Sequence, residues 1–232
     1  MRGTHLRIGI GIADMRAEPK FRSERVNQLI WGQSVEKAGG ETGGYLKVRA
    51  HDGYEGYIAS KCLRNARGAV RHKLVIGSRI GDIRLPVGSL LTDDDMKELS
   101  ISPGKVRGTD YTTDIISLAK RYLGVPYLWG GGTEYGTDCS GLTQRVYGFN
   151  NIPLPRNADA QERAGRVVET LSEAVPADLI FFPGHVGMHI GGGSIIHANL
   201  HWQRVTIIDL GGRDAYSRML KKSITSIRRY IA

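Results

Sequence analysis

The chain has 232 residues, 41% hydrophobic and 24% charged, the balance of an ordinary folded protein rather than a disordered or fibrous one. No apolar run approaches the roughly 20 residues that a bilayer-spanning helix requires, so no membrane span is expected. Lys and Arg outnumber Asp and Glu by 32 to 23, for a net charge of +9. The basic residues are spread along the chain, with only a mild cluster at Arg64, Arg67, Arg71, His72 and Lys73, so solvated surface outranks a nucleic-acid patch.

The opening M-R-G-T-H-L-R-I-G-I-G-I-A-D has a basic start, but its apolar stretch is short and broken by glycines. It reads as a first strand rather than a signal-peptide core, which favours the cytoplasm, or a secreted or periplasmic site if a leader has been removed. Short β segments are expected at Leu6–Ile12, Ser34–Lys37, Tyr45–Ala50 and Gly56–Ile58, with turns at Gly39-Gly40, Gly43-Gly44 and Asp52-Gly53. That density of strands predicts a small all-β barrel over residues 1–66. Residues 67–105 hold further short apolar segments and a helical turn in D-D-D-M-K-E-L, and read as a connector or a reduced second module. Ser102-Pro103-Gly104 marks a boundary.

From residue 106 the pattern changes. T-D-I-I-S-L-A-K-R-Y-L-G has apolar residues at helical spacing and a terminal glycine, and a second helix is expected to open near Ser140, with Leu142, Val146 and Phe149 on one face. Beyond Pro176 the segments D-L-I-F-F, H-V-G-M-H-I-G, S-I-I-H-A and R-V-T-I-I-D-L read as strands. Helices followed by strands predict an α+β domain with an antiparallel sheet over 106–232.

The chemistry concentrates around G-T-D-C-S-G-L-T-Q. Cys139, one of two cysteines with Cys62, has small polar neighbours and stands at the expected start of a helix. There the helix dipole and free N–H groups favour a thiolate. Two cysteines make no disulfide framework, and no paired C-x-x-C spacing is present. A nucleophile needs a base, and His185, His189, His197 and His201 are the candidates. H-V-G-M-H has a spacing found in zinc sites, but only a helix converges those histidines. A strand would separate His185 and His189 by roughly 13 Å, which places a catalytic zinc well below a thiol.

D-C-S-G-L-T-Q, L-P-R-N-A-D-A-Q, P-A-D-L-I-F-F, H-V-G-M-H-I-G-G-G and I-I-H-A together resemble the NlpC family of papain-like cysteine peptidases. The resemblance implies Cys139 as nucleophile, His185 as base, His197 as the orienting third residue and Tyr127 of Y-L-W-G-G as support for the oxyanion. No metal or organic cofactor is implied. Trp129 reads equally as a core aromatic or a pocket wall. Arg156 reads as a loop support, and His189 and His201 as surface or wall residues. Cys62 reads as quiet packing.

S-E-R-V-N-Q-L-I-W-G-Q-S-V and D-G-Y-E-G-Y-I resemble bacterial SH3-like modules fused to such peptidases, in particular the γ-D-glutamyl-L-diamino acid endopeptidases. This implies a murein-derived peptide as substrate, with Glu24, Tyr54 and Asp138 holding the free amino group of a terminal L-alanine and Ser140 lining the same end. Asn27 and Gln33 depart from the usual Thr and Glu. The function expected is hydrolysis of the γ-D-Glu–diamino acid bond in wall turnover or recycling. The alternatives are a secreted peptidoglycan endopeptidase anchored by its SH3-like module, and a non-catalytic wall-binding protein.

Overall fold

Period-two burial builds the N-terminal part of the chain. In the computed structural model, which describes residues 6–231 and to which all counts below refer, the chain forms two compact units, the second beginning at Thr112. In the first, β1 (Leu6–Ile8), β2 (Ile12–Arg16), β3 (Arg25–Ile30), β4 (Ser34–Thr42), β5 (Tyr45–Ala50), β6 (Glu55–Ala59) and β7 (Leu63–Asn65) form one antiparallel sheet in the order β3-β2-β6-β5-β4-β1-β7. Inward residues such as Ala13 and Met15 alternate with half-buried ones along β2 and meet Ile8, Leu29, Val48 and Ile58 in one core.

Three details differ from the sequence expectation. The strand expected over Leu6–Ile12 is two strands, because the chain bends at its glycines: a Cβ on Gly11 would meet the Arg84 carbonyl oxygen at 1.9 Å. The turn expected at Gly39-Gly40 is a bulge inside β4, where the register shifts between Lys37 and Glu41. Gly43-Gly44, also expected as a turn, is the hairpin turn, both residues having positive φ (56° and 77°) as a two-residue turn requires. The sequence reading also lacks β3, whose R-V-N-Q-L-I mixes buried polar Asn27 and Gln28 with apolar residues and so hides its alternation.

Residues beyond 66 carry β8 (His72–Leu74), β9 (Ser78–Ile80), β10 (Ile83–Leu85), β11 (Leu90–Leu91), α1 (Asp93–Glu98) and β12 (Val106–Gly108). β8 is flanked by β11 and β12, and this segment builds a second small core around Trp31, Leu74, Leu85, Leu91 and Leu99. Trp31 comes from the barrel, so the segment packs on it rather than linking past it. Val106 and Gly108 pair with Leu74 and His72, which draws residues 106–111 into the first unit instead of starting the next domain at 106.

The second unit has α2 (Ile115–Lys120), shorter than the 12-residue segment read as helical, then a small hairpin of β13 (Gly132–Thr133) and β14 (Gly136–Thr137). α3 (Cys139–Phe149) and α4 (Ala158–Arg163) follow, and then β15 (Arg166–Val167), β16 (Leu179–Phe182), β17 (His185–Gly191), β18 (Ser194–Asn199), β19 (Arg204–Asp209), α5 (Ala215–Lys222) and β20 (Ser226–Arg229). The six strands form an antiparallel sheet ordered β15-β20-β16-β17-β18-β19, with α3 packed on β17 and β18. This is the expected α+β architecture; α5, capped by Asp214, and β20 are additions that short amphipathic segments concealed. Among the described residues no helix is long and apolar enough to cross a membrane.

Candidate active site

Asp138 is the N-cap of α3 and Cys139 its first residue. The Asp138 backbone is extended and its Oδ1 accepts the Gly141 N–H at 2.7 Å, the standard chemistry of a helix start. The glycines of the two flanking motifs are required by close approach. A Cβ on Gly141 would meet the Gly131 carbonyl oxygen at 2.0 Å, and one on Gly131 would meet that of Gly136 at 2.6 Å. The turn bearing Tyr127 is thereby pressed against the head of the helix. Leu128 N–H donates to the Thr137 carbonyl and Thr137 N–H to that of Pro126, stitching Tyr127 beside Asp138-Cys139.

The two candidate histidines come from the sheet. Met188 pairs with Ile196, so Gly187 stands opposite His197, and His185 is its diagonal neighbour on the same face. The missing side chain at Gly187, where a Cβ would lie 3.4 Å from that of His197, opens the space the two rings need. His185 Nε2 and His197 Nδ1 are 2.8 Å apart. His185 Nδ1 is thus the ring nitrogen left for another partner. The next residue, Val186, directs its N–H at the Cys139 sulfur, as does Ser140, which joins β17 to the head of α3.

Burial dominates the electrostatics. It pushes the Cys139 thiol up to about 11, an effect Asp138 reinforces and the Val186 and Ser140 amides and Arg156 oppose. It pushes His185 down to about 4 and His197 down to about 3. Burial thus favours the uncharged form of the thiol and of both imidazoles. Burial raises the Tyr127 phenol, and the charge of Cys139 raises it further, which puts that hydroxyl in the electrostatic reach of the sulfur.

Several sequence-predicted residues take on a more definite place. The Asp138 carboxylate accepts Gly130 N–H at 2.8 Å as well as Gly141 N–H, and holds Arg156 through both oxygens, at 2.6 and 3.1 Å. These bonds fill the roughly four acceptor positions a carboxylate offers. The Ser140 hydroxyl is buried and bound by Arg156 Nη1 at 2.9 Å. Trp129 is 59% exposed, which excludes the core alternative. Glu24 and Tyr54 belong to the first unit, where Glu24 is exposed and Tyr54 packs half-buried against the barrel core. His189, read as a surface or wall residue, is buried in β17, because that strand is covered on both faces. His201 stacks on Tyr216 with ring centroids 4.2 Å apart. Among the described residues no group of three or more His, Cys, Asp or Glu side chains could hold a metal ion.

Gln161 is the residue that sequence reasoning missed. Fully buried, it donates to the Ser140 and Pro155 carbonyls and accepts from Thr143, tying the Arg156 loop to the first turn of α3. Its position four residues after an Asn-Ala helix start was the available signal.

Residues 124–229 match the NlpC/P60 family and residues 13–64 the bacterial SH3 domain. A dipeptidyl-peptidase 6 of Lysinibacillus sphaericus is 27% identical over 93% of this chain and 96% of its own length. A gamma-D-glutamyl-L-lysine dipeptidyl-peptidase of Bacillus subtilis is 33% identical over half of this chain and 40% of its own length. The crystal structure of an NlpC/P60 family protein from Bacillus cereus shares the fold over 98% of this chain and 100% of its own, with a TM-score of 0.77 at 21% identity.

Proposed function

The second unit belongs to the NlpC/P60 family of cysteine peptidases and follows a bacterial SH3 domain, and from that premise we propose that the chain hydrolyses the γ-D-glutamyl–L-diamino acid bond of murein peptides with a free N-terminal L-alanine, in wall turnover or recycling. The observation that carries the chemistry is the 2.8 Å contact between His185 Nε2 and His197 Nδ1 on the strands facing Cys139. The substrate class is supported by the two relatives named gamma-D-glutamyl-L-lysine dipeptidyl-peptidase, 33% and 37% identical over their aligned regions.

In this reading His185 Nδ1 takes the proton of the Cys139 thiol as the sulfur attacks the amide carbonyl carbon. His197 accepts the Nε2–H of His185 and keeps the ring in place. The Ser140 and Val186 amides point to the sulfur side of the site, and the Tyr127 hydroxyl donates to the developing oxyanion. The tetrahedral adduct collapses, the C–N bond breaks and His185 returns its proton to the leaving amine. Water then gives a proton to His185 and its hydroxyl to the thioester carbon, the C–S bond breaks, and His185 passes that proton to the departing sulfur, leaving the carboxylic acid and the thiol.

The test uses L-Ala-γ-D-Glu-L-Lys, its diaminopimelate counterpart and the same peptides still attached to a muramyl group. Wild type is expected to cleave the free peptides at the γ-D-Glu bond, as read by mass spectrometry, and Cys139→Ala to lose at least ~10³-fold in rate. Efficient cleavage of the muramyl-capped peptides would replace this reading with a peptidoglycan endopeptidase. Wall binding without cleavage would favour a binding protein.

A further inference from the structure

The Arg156 guanidinium is 3% exposed and takes Asp138 in a two-pronged grip, Nη2 to Oδ2 at 2.6 Å and Nη1 to Oδ1 at 3.1 Å. The same nitrogens donate to Ser140 Oγ at 2.9 Å and to the Gly131 carbonyl at 3.3 Å, so one cation touches the residues before and after Cys139 and the glycine turn pressed against them. We propose that Arg156 is a positioning residue that keeps the Cys139 thiol ionisable by cancelling the charge of the Asp138 carboxylate that caps the same helix. This rests on reading Cys139 as the nucleophile, but not on the identity of the peptide.

The physical conflict is local. A carboxylate N-cap strengthens a helix start, yet it fixes a negative charge one residue from the sulfur, where it opposes the thiolate and cancels the benefit of the helix terminus. The other titratable groups around this helix start are the Tyr127 phenol from the turn before β13, within electrostatic reach of Cys139 and Asp138, His185 from β17, within reach of Asp138, and, behind it, His197 from β18. Burial holds both imidazoles neutral near pH 7, so neither offsets the carboxylate at rest. Arg156 supplies the standing positive charge. A guanidinium serves better than an ammonium because two parallel N–H bonds fix it to both carboxylate oxygens. Gln161 holds the arrangement together by bonding the carbonyl of Pro155, next to Arg156, and that of Ser140, next to Cys139.

The test reads the sulfur rather than the reaction. The full chain is alkylated with iodoacetamide at pH 8 and the Cys139 and Cys62 peptides are quantified separately by mass spectrometry, with Cys62, half-buried in the first unit, as internal reference. With thiolate the minor species, each unit of upward shift removes about tenfold of the thiolate, partly offset by the greater nucleophilicity of the more basic sulfur, so alkylation slows about three- to fourfold per unit. Arg156→Met is expected to slow Cys139 about three- to fourfold or more and leave Cys62 unchanged, and Arg156→Lys to slow it less. Asp138→Asn is expected to speed it, and Asp138→Asn with Arg156→Met to return it towards wild type. A purely structural role would not give opposite signs to the two single changes. Arg156→Met leaves a buried carboxylate unpaired and is the variant at risk of misfolding; Asp138→Asn and the double variant then decide alone. Unchanged alkylation in folded Arg156→Met, or no acceleration in Asp138→Asn, overturns the proposal. If the alkylation pattern holds while no wall peptide is cleaved, the substrate reading fails and this one stands.

Discussion

His185 Nε2 lies 2.8 Å from His197 Nδ1, so the two rings share one proton, and the far nitrogen of His197 is buried with no hydrogen-bond partner among the described residues. For His185 to act as a base at Nδ1, its proton must sit on Nε2. That arrangement forces the proton of His197 onto its unpartnered Nε2, at the cost of an unsatisfied buried donor. The opposite arrangement leaves that nitrogen an unpartnered acceptor instead, and protonates His185 at Nδ1, which disables it. An amide at position 197 has a carbonyl acceptor and no tautomer to choose. His197→Ala is expected to lower kcat ~10–100-fold with little change in KM, and His197→Gln to recover part of the loss. Steady-state kinetics on the free tripeptide, with the pH profile of each variant, check this.

Tyr127 is held beside Asp138-Cys139 by backbone bonds on both sides of it, including its own N–H to the Gln203 carbonyl at 2.9 Å. Those bonds do not involve the hydroxyl, so Tyr127→Phe should fold as wild type. If the hydroxyl stabilises the oxyanion, kcat falls ~10²-fold or more while KM stays within a fewfold. A loss confined to KM would make Tyr127 a binding residue instead.

Stability should fall in mildly acid solution because of the two histidines. Burial lowers His197 to about 3 and His185 to about 4, against an unfolded value of about 6.5. The unfolded chain therefore binds more protons than the folded one between these values. The stability this represents is complete above pH 6.5 and is lost as pH falls towards 4 and 3. Asp14 and Asp95 are both held below 3.8: burial raises each, but bonds and charges from Arg25 and Gln28, and from Thr92, Arg64 and Arg7, outweigh it. Their contribution is present above about 3.8 and is lost as pH falls below it, at the acid end of that window and outside the range of the melts below. Thermal melts from pH 7 to pH 4.5 are expected to show a falling Tm, with a shallower slope in the His185→Gln/His197→Gln variant. An equal slope would assign the acid sensitivity elsewhere.

The first unit has a comparable weak point at Gly32. Its φ is +81° and a Cβ there would meet the Leu90 carbonyl oxygen at 1.8 Å, where Leu90 N–H also bonds the Trp31 carbonyl. Gly32→Ala combines backbone strain with a clash against a fixed chain, and is expected to cost about 2 kcal/mol or more. Gly40→Ala, in the β4 bulge, meets nothing within 4 Å and has no positive φ, so it should be close to neutral. Denaturant melts of the two variants compare them directly.

Local sequence picks out the candidate reactive residues, Cys139 with His185 and His197. D-C-S-G, H-V-G-M-H and I-I-H-A each lie within a single element, and their side chains could be judged from local spacing: a strand keeps His185 and His189 apart, and a helix start exposes a sulfur. It also determined the change from an all-β beginning to an α+β second half, because period-two and period-3.6 patterns are local. Which partners those residues meet depends on the folded chain. Asp138 looked available to a substrate amine until Arg156, 18 residues away in the chain, closed on both its oxygens. The end of the first unit moved to Tyr111 because β12 finds its pairing partner in β8, more than 30 residues earlier. Local backbone preference acts over a few residues, whereas a buried charge or an unpaired strand edge takes whichever partner the folded chain brings within 3 Å.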